Sequence, residues 1–243
     1  MQQTLSFGYD FKSTNNDILF GGISVFPSTS EIDQFVAVYS GQLTDPFGST
    51  ALTATLVGSP GGLTALNNTA SFQAQQAGAT ANYLYGRLSI NRLTELPYGF
   101  AWSSKATGQL SDAILLPSEQ LILGGYQSIR GFVEQGITRD EGATWQNELR
   151  LPAFETGVAK ALHLDPNTDA LVPFWFFDIG GGRNHHELAG TPTSWVTLAS
   201  TCPGVTWNAS RNLSFRFTWG IPLMRVGTFV PLLGPQFSLQ LTF

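Results

Sequence analysis

The chain has 243 residues, and Lys, Arg, Asp and Glu supply only 12% of them, against about 25% in an ordinary soluble domain. Mean hydropathy is +0.03, so the missing charge is replaced by Gly, Ser, Thr, Asn and Gln rather than by an apolar excess. The net charge of −5 without basic clusters excludes general nucleic-acid binding, the single cysteine, Cys202, excludes an intrachain disulfide, and no run of about 18 apolar residues could form a membrane-spanning helix.

Met1-Gln2-Gln3-Thr4 has neither the basic start nor the apolar core of a signal peptide and leads into period-two alternation. Leu5, Phe7, Tyr9 and Phe11 alternate with Ser6, Gly8, Asp10 and Lys12, and Asn15-Asn16-Asp17 reads as a turn. Further strands are expected at Ile18–Phe26, Asp33–Thr44 and, after the turn Asp45-Pro46-Phe47-Gly48, at Ser49–Val57. Residues 59–79 read as a long polar loop. The fifth strand, Ala81–Leu93, places Tyr83, Tyr85, Arg87, Ser89 and Asn91 opposite Leu84, Gly86, Leu88 and Ile90. After Leu96-Pro97-Tyr98-Gly99 comes Phe100–Leu110, and residues 111–143 form a second long loop. Strands then follow at Thr144–Leu151, Ala170–Gly180, Trp195–Trp207, Arg211–Ile221 and Gln236–Phe243. One helical turn is expected within Ala153–Leu164. Eleven strands without helical partners imply an all-β sandwich or barrel.

The long loop 111–143 contains Gly124-Gly125-Tyr126-Gln127-Ser128-Ile129-Arg130-Gly131-Phe132. A buried arginine in such a loop must meet an acceptor, and a planar guanidinium fork suits a carboxylate. Asp178, in Phe176-Phe177-Asp178-Ile179-Gly180, is the first candidate, and Glu148 is the alternative. The plain reading of the same residues is a solvated loop arginine and an unrelated strand-end acid.

Side-chain alternation separates barrel from sandwich. Phe237, Leu239, Leu241 and Phe243 share one face of the last strand, and Leu213, Phe215, Phe217 and Trp219 share one face of the strand before it. The opposite faces carry mainly Ser, Thr, Gln and Gly, where a soluble sandwich would present Lys and Glu. With Trp102, Trp195, Trp207 and Trp219 near strand ends, this is the pattern of a transmembrane β-barrel with interfacial aromatic girdles. A soluble β-sandwich that holds sugars on aromatic side chains is the alternative of another class.

On the loop, the Phe-Phe-Asp-Ile-Gly strand end and the terminal-Phe strand, the chain resembles the Omp85/TpsB superfamily. It is most similar there to the haemolysin secretion/activation transporters of two-partner secretion. Leu123-Gly124-Gly125 with Ser128–Phe132 resembles that family's loop-six signature, and Asp140-Glu141-Gly142 with Asn147–Pro152 resembles the strand that follows it. The resemblance implies an antiparallel transmembrane barrel of sixteen strands preceded by POTRA domains, of which this chain would be the C-terminal eleven strands or so. It implies that loop 111–143 folds into the lumen and that Arg130, Gly131 and Phe132 dock there, Arg130 on Asp178 or Glu148. Tyr83, Tyr85, Arg87, Lys105, Arg150 and Arg216 would then line the lumen. Phe237, Leu239, Leu241 and Phe243 would be the signal read by the barrel assembly machinery.

The implied activity is passage of a secreted partner protein through an outer-membrane pore set in lipid, without enzyme chemistry or cofactor. The alternative within the superfamily is insertion of other barrels. Eleven strands is an odd number, which would pair the first and last in parallel on closure. The implied sidedness puts loop 59–79 outside and the turns at 15–17, 45–48, 96–99 and 208–210 in the periplasm.

Other motifs carry less. Gly180-Gly181-Gly182-Arg183 lacks the Lys-Ser/Thr of a phosphate loop. His185-His186-Glu187 offers two histidines that point apart on a strand, with no third metal ligand in place. No Gly-x-Ser-x-Gly elbow supports hydrolysis.

Overall fold

The alternating segments become paired strands over most of the chain. In a computed structural model, every residue is described except 1, 16–17, 21–22, 27–28, 162–168, 186–194, 211, 225–234 and 242–243. In chain order the elements are β1 (Gln2–Asn15), β2 (Ile18–Phe20), β3 (Ile23–Phe26), β4 (Thr29–Asp45), β5 (Gly48–Pro60), α1 (Thr69–Gln75), β6 (Asn82–Glu95) and β7 (Ala101–Ser111). They continue with β8 (Leu121–Ile122), β9 (Thr138–Arg139), β10 (Glu141–Arg150), α2 (Val158–Ala161), β11 (Ala170–Arg183), β12 (Val196–Ser210), β13 (Leu213–Trp219), β14 (Ile221–Pro222) and β15 (Pro235–Leu241).

One eleven-stranded sheet runs in the order β1-β4-β5-β6-β7-β10-β11-β12-β13-β15, with the short β14 on β12. Every pairing is antiparallel, from Gln2↔Gln42 and Asn15↔Thr29 at one edge to Leu213↔Leu241 at the other. The eight strands from β1 to β12 on this path are 10 to 17 residues long, enough to cross a bilayer, which takes about 9–11 residues of tilted strand.

The two faces differ as the alternation requires. The outer face exposes Phe7, Leu56, Leu88, Leu110, Trp145, Trp175, Phe237, Leu239 and Leu241, several of them more than half open. The inner face holds buried polar groups, among them Gln34, Gln109, Thr144, Glu148 and Asp178. An apolar row facing outward from a single antiparallel sheet, opposite a polar inner face, is the pattern of a lipid-exposed barrel wall, and this sheet is part of such a wall, with open edges at β1 and β15. The soluble sandwich is not supported, because its Phe237/Leu239/Leu241 row would be packed inside.

Three expectations are corrected. Ile18–Phe26 does not add a strand to the sheet but forms the separate two-stranded β2–β3. Gly21-Gly22 interrupts the alternation there, and strands of three and four residues are too short to span. The end of β1 at Asn15 and the start of β4 at Thr29 therefore lie at the same sheet end as residues 61–81, not at the short-turn end, and β1 pairs directly with β4. Ten strands then lie along the path, so the first and last run in opposite senses and the parity difficulty disappears. Residues 59–79 are not all loop: β5 runs to Pro60, and Thr69–Gln75 is a helix capped by the Asn68 side chain, which accepts from the Ser71 N–H at 2.9 Å. Phe72 of that helix is fully buried. The expected turn within Ala153–Leu164 is α2, while the Asn16-Asp17 pair of the first turn lies outside the described residues.

Leu88 sits mid-strand on the outer face, and Ser89 faces inward beside Thr107. Leu88→Arg is expected to lower the unfolding free energy in phospholipid bilayers by about 2–4 kcal/mol. Ser89→Arg is expected to change it far less, as read by urea titration of tryptophan fluorescence.

Candidate functional site

The connection from β7 to β10, residues 112–140, folds back over the inner face. Its neck is closed by the β8–β9 pairs Leu121↔Arg139 and Ile122↔Thr138. Its tip is turned by the Ser128 N–H donating to Gly125 O at 3.1 Å and the Ser128 hydroxyl donating to Ile122 O at 2.8 Å. Leu121, Leu123, Ile129, Phe132 and Ile137 of this loop form one buried cluster with Val196 and Leu198 of β12. Burial of that cluster presses the tip onto the wall. Gly131 has φ of 84°, and a Cβ there would lie 2.9 Å from the Gly220 carbonyl carbon. A Cβ on Gly220 would in turn come within 2.4 Å of the Gly131 Cα. The loop thus crosses the β13–β14 junction backbone on backbone.

This crossing delivers Arg130 between β10 and β11. Its Nε donates to Asp178 Oδ2 at 2.7 Å, its Nη2 to Asp178 Oδ1 at 2.8 Å, and its backbone N–H to Oδ2 at 3.1 Å. The remaining Nη1 donates to Glu148 Oε2 at 2.9 Å. Beneath the guanidinium, the Phe176 ring centroid lies 3.9 Å from Cζ, a cation–π stack. The side chains of Arg130, Asp178 and Glu148 are 5%, 0% and 7% exposed. Burial pulls the Arg130 pKa down, but the Asp178 hydrogen bonds and the Asp178 and Glu148 charges outweigh it and hold the pKa above the ordinary guanidinium value. The two acids are not alternatives: the fork takes both.

Glu148 also serves the wall. Its Oε1 accepts from Arg150 Nε at 2.9 Å, and its Oε2 accepts from Arg216 Nη2. Arg216 stacks over Phe174 at 4.2 Å, repeating the Arg130–Phe176 pair one inward position along β11. The cluster therefore holds three guanidinium groups and two carboxylates, and without Arg130 the wall alone balances at two and two. Lys105 reaches the loop tip, donating to Gln127 O at 3.4 Å. Tyr83, Tyr85 and Arg87 face the loop stem instead: Tyr85 donates to Glu119 Oε2 at 2.8 Å and Arg87 to the Glu119 carbonyl at 3.2 Å. None of these three touches the Arg130 cluster.

Several participants escape the sequence reading. Gly220 and Gly180 act by what they lack, a Cβ on Gly180 falling 2.8 Å from Ile129 Cδ1. Asp140, fully buried, accepts from the Leu115 N–H and Gln120 Nε2, each at 2.9 Å, and from the His185 N–H at 3.0 Å. Asp140 is legible in the sequence only as part of Asp140-Glu141-Gly142, which gives no sign of such a role. His185 Nδ1 pairs with Glu141 Oε1 at 2.6 Å, and His186 and Glu187 lie outside the described residues. Among the described residues no group of three metal-ligating side chains is assembled. Phe237, Leu239 and Leu241 lie on the outer face of β15, and Phe243 lies outside the described residues.

The family model described as haemolysin secretion/activation protein ShlB/FhaC/HecB matches residues 39–206, more than half of the chain. The chain belongs to that family. The heme/hemopexin transporter protein HuxB of Haemophilus influenzae strain 86-028NP is 29% identical over 157 residues, 63% of this chain and 25% of HuxB. The outer membrane transporter CdiB of Dickeya dadantii strain 3937 is 36% identical over 116 residues, 48% of this chain and 18% of CdiB. The solved structure of CdiB from Escherichia coli shares the fold over 99% of this chain and 42% of its own, with a TM-score of 0.72 at 20% identity. The chain thus spans about a quarter or less of the curated relatives it matches, and its family places it in the outer membrane.

Asp178→Ala leaves a buried guanidinium with one carboxylate shared three ways, an uncompensated loss expected to weaken loop docking by about 3–5 kcal/mol. Trypsin added to membranes should then cut after Arg130, which the parent protein resists. Gly220→Val should produce the same cut by steric displacement, with all charges in place.

Proposed function

We propose that this chain is the wall and lumenal loop of an outer-membrane pore that translocates a partner exoprotein, and that Arg130 latches the loop in the lumen through Asp178. The observation that carries this reading is the pairing of all three nitrogens of a buried loop guanidinium with two wall carboxylates. A structural plug would be served better by apolar packing, because paired charges out of water add little net stability over a hydrophobic replacement. A charged latch suits a contact that must form and break in a hydrated channel. Membership of a secretion family and relatives named as transporters support the same reading.

On this reading the lumen offers passage without tight binding. Its inward side chains are mixed in sign and hydroxyl-rich, with Arg87, Lys105, Arg150 and Arg216 set among Ser89, Ser103, Thr107, Gln146 and Glu148. No nucleotide is available outside the cell, so on this reading folding of the cargo after it emerges supplies the driving force for transport. Such a mixed, hydrated wall suits a polypeptide cargo that travels unfolded.

Asp178→Ala is expected to cut secretion of the partner at least about tenfold, as loss of one charged partner in a buried pair allows, while the barrel reaches the membrane in parent amounts. Planar-bilayer recordings should show altered conductance from the displaced loop. Unchanged secretion and unchanged conductance together would end the latch reading.

A further inference from the structure

Away from the Arg130 cluster, one loop residue collects side chains from four strands. Glu119 is buried at 2% exposure. Its Oε1 accepts from Lys12 Nζ of β1 at 2.8 Å and from the adjacent Ser118 hydroxyl at 3.1 Å. Its Oε2 accepts from the Tyr85 hydroxyl of β6 at 2.8 Å and from Gln34 Nε2 of β4 at 3.3 Å. Its carbonyl accepts from Arg87 Nη2 of β6 at 3.2 Å and Gln109 Nε2 of β7 at 3.1 Å. Tyr83 completes the ring by donating to Gln34 Oε1 at 2.7 Å. Just before it, Ile114, Leu115 and Leu116 are packed in an apolar cluster with Ile32, Val57 and Phe72 of α1.

This arrangement is separate from the tip's in both partners and place. The tip docks on β10, β11, β12 and the β13–β14 junction, with Lys105 of β7 reaching it, while the segment 113–120 docks on β1, β4, β5, β6 and Gln109 of β7. A carboxylate this deep must be paid for by its partners, and Lys12, Tyr85 and Gln34 outweigh the burial that would raise its pKa, holding it below the ordinary carboxylate value. The two halves of the loop meet at Gln120, whose side chain is tied to Asp140, and at the β8–β9 neck.

We propose that Glu119 is a second anchor and a positioning residue, fixing the loop stem to the β1–β7 side so that release of Arg130 frees the tip alone. The tip would then swing from a stationary stem instead of the whole loop leaving the lumen. The inference rests on the latch reading of Arg130, and the two are tested by separate reporters.

Leu115→Cys and Ile129→Cys place one thiol in the stem and one in the tip, at positions that are both 0% exposed. They are introduced singly into the full-length transporter with Cys202→Ser, in intact cells, and labelled with a membrane-impermeant maleimide. Asp178→Ala should speed labelling of Ile129→Cys by about tenfold or more, as opening of a locally stabilised segment does, and leave Leu115→Cys at its parent rate. Glu119→Lys and Lys12→Glu should each speed labelling of Leu115→Cys about tenfold, and the double exchange should restore protection by pairing the charges again. Heat-modifiable gel migration checks that each barrel has folded, and Lys12→Met with Tyr85→Phe replaces any variant that does not fold.

Equal labelling of both thiols in Asp178→Ala would show a loop that moves as one body and would overturn the second anchor. So would a Leu115→Cys thiol that stays protected in Glu119→Lys or its folded substitute. Protection of Ile129→Cys in Asp178→Ala would instead refute the latch, and the Glu119 variants would still decide the stem on their own.

Discussion

A guanidinium taken out of water governs how this molecule is built. Arg130 could be buried only where its donors were met, and meeting them required two acids on neighbouring strands, an aromatic floor and a backbone approach close enough for the Arg130 N–H to reach the same carboxylate. Each requirement falls on a different element. Asp178 and Phe176 lie two residues apart on β11 and so share its inner face, while Glu148 is the direct cross-strand partner of Phe176 on β10. The strand register alone therefore sets the two acids and the aromatic floor side by side, and the loop supplies the cation.

The surrounding charges give that receptor a resting state. With the loop docked, Glu148 is shared among Arg130, Arg150 and Arg216. With Arg130 gone, Glu148 keeps two partners, and only Asp178 is left with nothing opposite it. The loop's hold is thus concentrated on one carboxylate, although the contact itself uses two. Without Arg130, the two guanidinium groups of Arg150 and Arg216 and the two carboxylates of Glu148 and Asp178 balance in formal charge.

Much of this was legible in the sequence, for reasons that particular residues make clear. Period two is a strong signal when one face meets hydrocarbon and the other a hydrated lumen, and so the runs around Leu84–Ile90, Phe174–Ile179 and Phe237–Leu241 reveal strand, face and register parity together. Arg130 stood out because a single charge among glycines and apolar residues needs an explanation. Ile18–Phe26 misled because its alternation is real but cut by Gly21-Gly22, and alternation alone does not say whether a strand joins the main sheet. Glu119 was silent: it is an ordinary acid in a loop, and its importance comes from strands brought near by closure of a long connection, while Asp140 was legible in a motif without its buried role. Glycines that act by close approach, such as Gly180 and Gly220, cannot be told from turn glycines until the opposing backbone is seen.

The crossing of Gly131 over Gly220 has a consequence for how the protein can vary. Most packing contacts leave room for exchange, since a larger residue on one side is accommodated by a smaller one on the other. Here both sides already carry the least bulky residue available, so no partner change can absorb a gain at either position. A side chain gained at either position must therefore be met by movement of the backbone itself, not by an exchange at the other.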